Sequence, residues 1–215
     1  MAPPELRRAV AADVPLVARV LEMAGRGHLD RGPWDVLFPD AGDRERALRR
    51  IAEGPRSWCR WDVFHVATVG GEPVAAMAAF EPSAIGGTSL GSALGDAFEA
   101  VAWDGDRAGA ALERGAAYML CFPEMAEGTW IVENVGTLPS HRRRGLTADL
   151  LDRVLDEGRR RGHAKAQISV LIGNEPARFA YRRAGFEVVE ERTHPDFEAL
   201  MGSPGFFRME RPLAS

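Results

Sequence analysis

Three groups of residues in this chain could do chemistry: a run of arginines ending in glycine, a glutamate inside an apolar segment, and an asparagine followed two helical turns later by a tyrosine. The arginines, Arg142, Arg143 and Arg144, lead through Gly145 into Leu146 and Thr147, where an amphipathic segment begins. Backbone N–H groups in the first turn of a helix lack intrahelical partners and sit at the positive end of its dipole, so residues 143–147 read as an anion cradle. Gly145 lets the backbone approach a phosphate closely. Taken alone, the same run is equally a solvated basic turn or a nucleic-acid patch. Glu133 lies in the strand-like segment 129–135, where alternation puts Ile131, Glu133 and Val135 on one face and Trp130, Val132 and Asn134 on the other. Burial there raises a carboxyl pKa toward neutrality, as a general base requires; the alternative is a glutamate that hydrogen-bonds a loop. Gly136 on a strand calls for a bulge or a close backbone approach. Asn174 suits a helix cap, and the Tyr181 phenol, with a reference pKa of about 10, keeps its proton at neutral pH.

These groups need a strand before the arginine loop and a helix after it. The chain supplies a central strand at 129–135 and a helix from Gly145 to Gly162, with Leu146, Leu150, Leu151, Val154 and Leu155 on one face. A second strand at 166–171 and a helix opening at Asn174 and Pro176 complete a strand–helix–strand–helix unit. Upstream, a strand at 6–10 precedes a helix capped by Asp13 whose apolar positions are Leu16, Val17, Val20 and Leu21. A second helix is expected at 43–52, then strands at 63–69 and 73–80 joined through Gly70-Gly71. Trp34 and the tryptophans of 57–61 either wall a pocket or pack in the core. Residues 81–128 are too long for a simple connection and read as a helical insertion, with helices at 92–103 and 107–120. Its glycines Gly86, Gly87, Gly91 and Gly95 fit neither a dinucleotide fingerprint nor a lysine-bearing P-loop. Strands beginning at 186 and 206 end the chain, and the proline-bounded connection 193–204 between them is placed to close over a cleft.

Taken together, the order of these motifs resembles the GNAT acetyltransferases. The pyrophosphate loop of that family is matched by Arg142-Arg143-Arg144-Gly145-Leu146-Thr147, with Thr147 standing where glycine or alanine is usual. A second motif is matched by Asn174, Ala177, Tyr181 and Gly185-Phe186. The resemblance implies an α/β (α+β) fold, a mixed central sheet flanked by helices, here with a helical insertion before the coenzyme-binding strand. It implies an N-acetyltransferase that moves an acetyl group from acetyl-CoA, its co-substrate, to a primary amine of a small molecule or peptide by direct attack, without metal. The backbone of Val135, Gly136 and Thr137 would pair with the pantetheine arm, and a bulge there would free an amide for the thioester oxygen. Asn174 would lie beside the coenzyme, Tyr181 would be general acid near its sulfur, and Glu133 would take the amine proton. Some protein N-terminal acetyltransferases carry a glutamate on the following strand; here Ser169 occupies it. The competing function is a non-catalytic acyl-CoA-binding sensor on the same fold.

Composition narrows the rest. A chain of 215 residues, 46% hydrophobic and 27% charged with net charge −4, is expected to form one domain over 1–215 around one core. That charge argues against a nucleic-acid partner, and the lack of a long apolar run against a membrane, so a cytoplasmic protein is expected. Cys59 and Cys121 have neither zinc-ligand spacing nor a disulfide framework around them. Acidic residues outnumber basic ones in the insertion, which suggests either a negative wall favouring cationic acceptors or an ordinary solvated or dimer-forming surface.

Overall fold

The computed structural model describes residues 3–55, 57–85 and 90–213. Seven strands form one sheet in the order β1-β2-β3-β4-β5-β7-β6. The first four, β1 (Glu5–Arg8), β2 (Phe64–Val69), β3 (Glu72–Phe80) and β4 (Trp130–Thr137), are antiparallel neighbours. β4 then runs parallel to β5 (Lys165–Leu171), and β7 (Gly205–Pro212) lies between β5 and β6 (Glu187–Thr193). A parallel pair needs a crossover, and a long helix, α6 (Leu146–Arg160), supplies it. This is the mixed sheet flanked by helices that the sequence implies.

Both faces of the sheet are covered. On β3 the side chains of Ala76, Ala78 and Phe80 enter one core and those of Ala75, Met77 and Ala79 the other, the period-2 alternation of a strand. Small alanines on both faces let the helices pack close. The first core is built on α1 (Val14–Arg26), through Val17, Val20 and Leu21, and on α3 (Ala41–Glu53) through Leu48 and Ile51. The second lies under the Leu146, Leu150, Leu151, Val154 and Leu155 stripe of α6, where the Trp130 indole N–H donates to the Val154 carbonyl at 2.8 Å.

Two caps differ from expectation. Asp13 does not cap α1 with its side chain; it ends a 3-10 turn (Ala11–Asp13), accepts from the Val10 N–H at 2.8 Å and pairs with Arg7 at 2.6 Å. The second helix starts earlier than 43 because Asp40 is its N-cap, accepting from the Asp43 N–H at 2.8 Å.

The insertion is helical as read, with α4 (Leu90–Ala100), α5 (Gly105–Gly115) and a 3-10 turn (Ala116–Leu120). Gly86 and Gly87 lie outside the described residues. α4 packs on α3, and α5 on the short α2 (Pro33–Leu37). Phe38 joins them, with ring centroids 5.4 Å from Phe98 and 5.3 Å from Trp103, whose indole donates to Asp43 at 3.0 Å. The connection after β6 forms α8 (Pro195–Met201), which buttresses the 3-10 turn through a small core of Cys121, Leu171, Phe197, Met201 and Phe206. Among the described residues no helix is long and apolar enough to cross a membrane.

Candidate functional site

The sheet opens at its centre. β4 and β5 pair only from Trp130–Ala166 to Val132–Ile168; past that point β5 continues with β7 and β4 with β3. The edge of β4 that faced β5 therefore lines a cleft of about 850 Å³, entered by Glu133, Asn134, Val135, Gly136 and Thr137 from one side and Ser169, Val170 and Leu171 from the other.

A bulge shapes that edge. Between Ala76 and Ala78 of β3, two residues on, β4 advances from Glu133 to Gly136, three residues on, and Asn134 takes up the extra residue with φ of +52°. Of the two readings of Gly136, a bulge or a close backbone approach, the bulge falls instead on Asn134, because asparagine also tolerates the left-handed region. Gly136 answers a different demand: a Cβ there would come within 3.0 Å of Val20 and 3.2 Å of Met23 on α1. The bulge also overturns simple alternation. Val135 does not share the face of Ile131; it packs against the core that holds Trp130 and Val132.

At one end of the cleft stand the arginine loop and the start of α6. Arg143, at φ +59°, and Gly145, at φ +84°, are both left-handed, and no side chain caps the helix. A Cβ on Gly145 would meet open space, so the glycine serves the backbone conformation and not a tight contact with protein. Arg142 donates from Nε to the Thr137 carbonyl at 3.3 Å and Arg144 to the Ser140 carbonyl at 2.9 Å, while the Thr137 and Thr147 hydroxyls lie 3.4 Å apart. Arg142, Arg143, Arg144, Leu146 and Thr147 all line the cleft. A helix N-terminus without a capping side chain, ringed by guanidinium groups, suits an anionic group of phosphate type.

Opposite, α7 (Glu175–Arg183) brings Asn174 and Tyr181 to the cleft. Asn174 is the helix N-cap, accepting from the Ala177 N–H at 3.4 Å. Tyr181 is buried, its ring 6.5 Å from that of Phe186, and burial with the charge of Glu133 pushes its phenol well up, so it stays protonated.

Glu133 keeps partial contact with solvent through the cleft but is crowded by protein. Loss of hydration pushes its carboxyl up to about 7, held from rising further by the Ser169 side chain and the Asn134 backbone N–H. It is the only carboxylate among the described residues lining the cleft. The sequence noted Ser169 only as a departure from relatives with a second glutamate; here it is a partner of the first.

Several cleft residues had no sequence signal tying them to the site. Tyr118 comes from the insertion, and burial pushes its phenol up, with the Glu133 charge second. Cys59 is buried beside Glu133 and Asn134, its thiol pushed up to about 12, so it stays neutral. His28 and His141 also face the cleft. Trp34 and Trp58 take both of the roles left open for them, lining the cleft while packing on the first core, whereas Trp61 packs on that core without reaching the cleft. Two expectations are corrected. None of residues 193–204 reaches the cleft, because α8 is spent on buttressing the insertion. The negative wall, one of the two readings of the insertion, is not found among the described residues that line the cleft, where the insertion contributes Leu94, Leu112, Tyr118, Met119 and Phe122 and no acid. Asp104, for example, caps α5.

A family model described as the acetyltransferase (GNAT) family matches residues 29–186. Among solved structures, an acetyltransferase is similar at TM-score 0.68 and 16% identity over 98% of this chain and 100% of the other. An N-acetyltransferase from Staphylococcus aureus Mu50 is similar at TM-score 0.64 and 15% identity over 96% and 99%. The ribosomal-protein-S18-alanine N-acetyltransferase from Escherichia coli is similar at TM-score 0.54 and 16% identity over 99% and 96%. At such identities the likeness is one of fold. No curated protein matches the sequence.

Proposed function

The chain belongs to the GNAT acetyltransferase family, whose chemistry is acyl transfer from acyl-CoA, and we propose that it is an N-acetyltransferase acting on a primary amine by direct attack. One observation carries this reading: a carboxyl raised to about 7, a protonated phenol and a helix N-terminus without a capping side chain open onto one cleft.

Acetyl-CoA supplies the thioester when bound. The N–H groups opening α6 and Arg142, Arg143 and Arg144 hold its pyrophosphate, and the exposed backbone edge at Val135, Gly136 and Thr137 aligns the pantetheine arm. Asn174 fixes the start of α7 and with it the position of Tyr181. Glu133, ionised above about pH 7, takes the proton that the attacking amine must lose, directly or through one water. Tyr181 gives its proton to the departing sulfur, so one proton enters the protein at Glu133 and one leaves at Tyr181. Nothing in this sequence of steps asks for a metal ion.

Two measurements test the proposal. Calorimetry is expected to show acetyl-CoA binding, and release of free thiol is expected to depend on an added primary amine. Binding without thiol release across an amine panel would point instead to an acyl-CoA sensor.

A further inference from the structure

Resting on the acyl-transfer reading above, we infer that the acceptor is a monoamine with an aromatic or comparably bulky apolar body, seated in a pocket that the helical insertion builds beyond Glu133. The wall of that pocket is aromatic and assembled from three distant parts of the chain. Trp58, ahead of β2, stacks on Phe122 of the insertion at 6.3 Å and 21°. Phe122 meets Phe206 of β7 edge-on at 6.0 Å, and Tyr118 meets Phe206 edge-on at 5.7 Å. All four rings line the cleft while packing on one another, so the wall is held in place before anything binds. Offset and edge-on faces of this kind receive another ring well.

The apolar surface does not stop at the wall. Leu112 and Met119, 46% and 57% exposed, stand on the insertion and face the same cleft. A single exposed apolar side chain needs no explanation, but two of them continuous with an aromatic-lined cleft extend one apolar surface toward solvent.

Charge excludes other amines. Glu133 is the only acid among the described residues lining the cleft, enough for one ammonium group and no more. A polyamine or a lysine-rich peptide would bring further cations past Glu133 with no second carboxylate among the described lining residues, and the aromatic faces of Trp58, Tyr118 and Phe122 would repay only part of their lost hydration. An acidic acceptor would bring its carboxylate against Glu133.

The test compares 2-phenylethylamine, ethylamine, spermidine and a lysine-rich peptide as acceptors with acetyl-CoA, following thiol release. The kcat/KM for 2-phenylethylamine is expected to exceed that for each of the others by at least about tenfold, the range in which apolar pockets discriminate. Met119→Glu, at a position whose exposure spares folding, and Trp58→Ala are each expected to raise KM for 2-phenylethylamine, with acetyl-CoA affinity by calorimetry unchanged. Equal use of all the amines, a preference for spermidine or the peptide, or an unaltered KM in both variants would overturn the inference and leave acyl transfer standing. So would a preference for octanoyl-CoA over acetyl-CoA with no discrimination among amines, which would assign the apolar wall to the acyl chain. Thiol release with none of the amines, acetyl-CoA being bound, would overturn the acyl-transfer reading and this inference with it.

Discussion

Glu133 is destabilising in its ionised form, the form that the proposed reaction uses. Its carboxyl is raised from an ordinary 4.5 to about 7 by loss of hydration, so the folded protein holds that proton more tightly than the unfolded chain does. Stability contributed by the protonated form is therefore present below about pH 4.5 and is lost as pH rises through about 7, while the proposed reaction needs the ionised form, so activity is expected to rise around pH 7. Glu133→Gln is expected to separate the two: a melting temperature above wild type at pH 8, no gain at pH 4, and loss of most activity with the acid limb of the pH–rate profile. An unaltered profile would remove Glu133 from the reaction. Tyr181→Phe is expected to lower kcat by about 100-fold or more with little change in acetyl-CoA affinity, because a proton for the departing sulfur matters only in the transition state. Near wild-type turnover would reduce Tyr181 to packing. That both side chains stand at one cleft agrees with the strand alternation and motif spacing that singled them out. Tyr118, Cys59 and Ser169 were not legible in this way, since each reaches Glu133 only through tertiary packing, and nothing local in their sequence marks it.

At the scale of elements, the long helices could be read from periodicity, because Leu146 to Leu155 is a one-dimensional signal, while β3, apolar throughout from Val74 to Phe80, was placed by the Gly70-Gly71 turn before it. Backbone irregularities were harder. A glycine on a strand points to a bulge or a close approach; Gly136 proved to be the close approach, to Val20 and Met23 of α1, while the bulge fell on Asn134, which no local pattern announces. Asn134→Val should therefore cost about 1–2 kcal/mol by urea denaturation, the usual penalty for forcing a side chain of that shape into the left-handed region, and Asn134→Gly much less. Equal costs for the two would mean that the bulge is not strained at this residue. The start of α6 makes a parallel case. Gly145 at φ +84° has open space where a side chain would project. Gly145→Val, by straining that turn and filling the space beside the N–H groups, is expected to raise the acetyl-CoA dissociation constant at least about tenfold, or about 1.4 kcal/mol. Unchanged affinity by calorimetry would detach the loop from coenzyme binding.

For the whole molecule, the charge count of the chain was a poor guide to the site. Net charge is −4, yet among the described residues the cleft lining holds Arg142, Arg143, Arg144 and Arg183 against a single acid, because the acids of the insertion lie elsewhere, Asp104 capping α5 and Asp96 beside Arg50. The cleft also divides the sheet. Only three parallel residue pairs join β4 to β5, and the seam is otherwise held by the contact of Glu133 with Ser169 and by the core beneath α6. A ligand that meets the edge of β4, the start of α6 and Tyr181 on α7 would tie the two sides together, which protein contacts do sparingly. Its binding should accordingly appear as stability of the whole fold. At 100 times its dissociation constant, acetyl-CoA adds about 2.7 kcal/mol, and for a chain of this length that corresponds to a rise of about 5–10 °C in melting temperature. Hydrogen exchange should slow on both sides of the seam, in β4 and in α7, and not only in the arginine loop. A shift of the expected size with protection confined to residues 142–148 would show that the coenzyme is held by its phosphates alone. No shift at saturating acetyl-CoA would remove the cleft as its binding site.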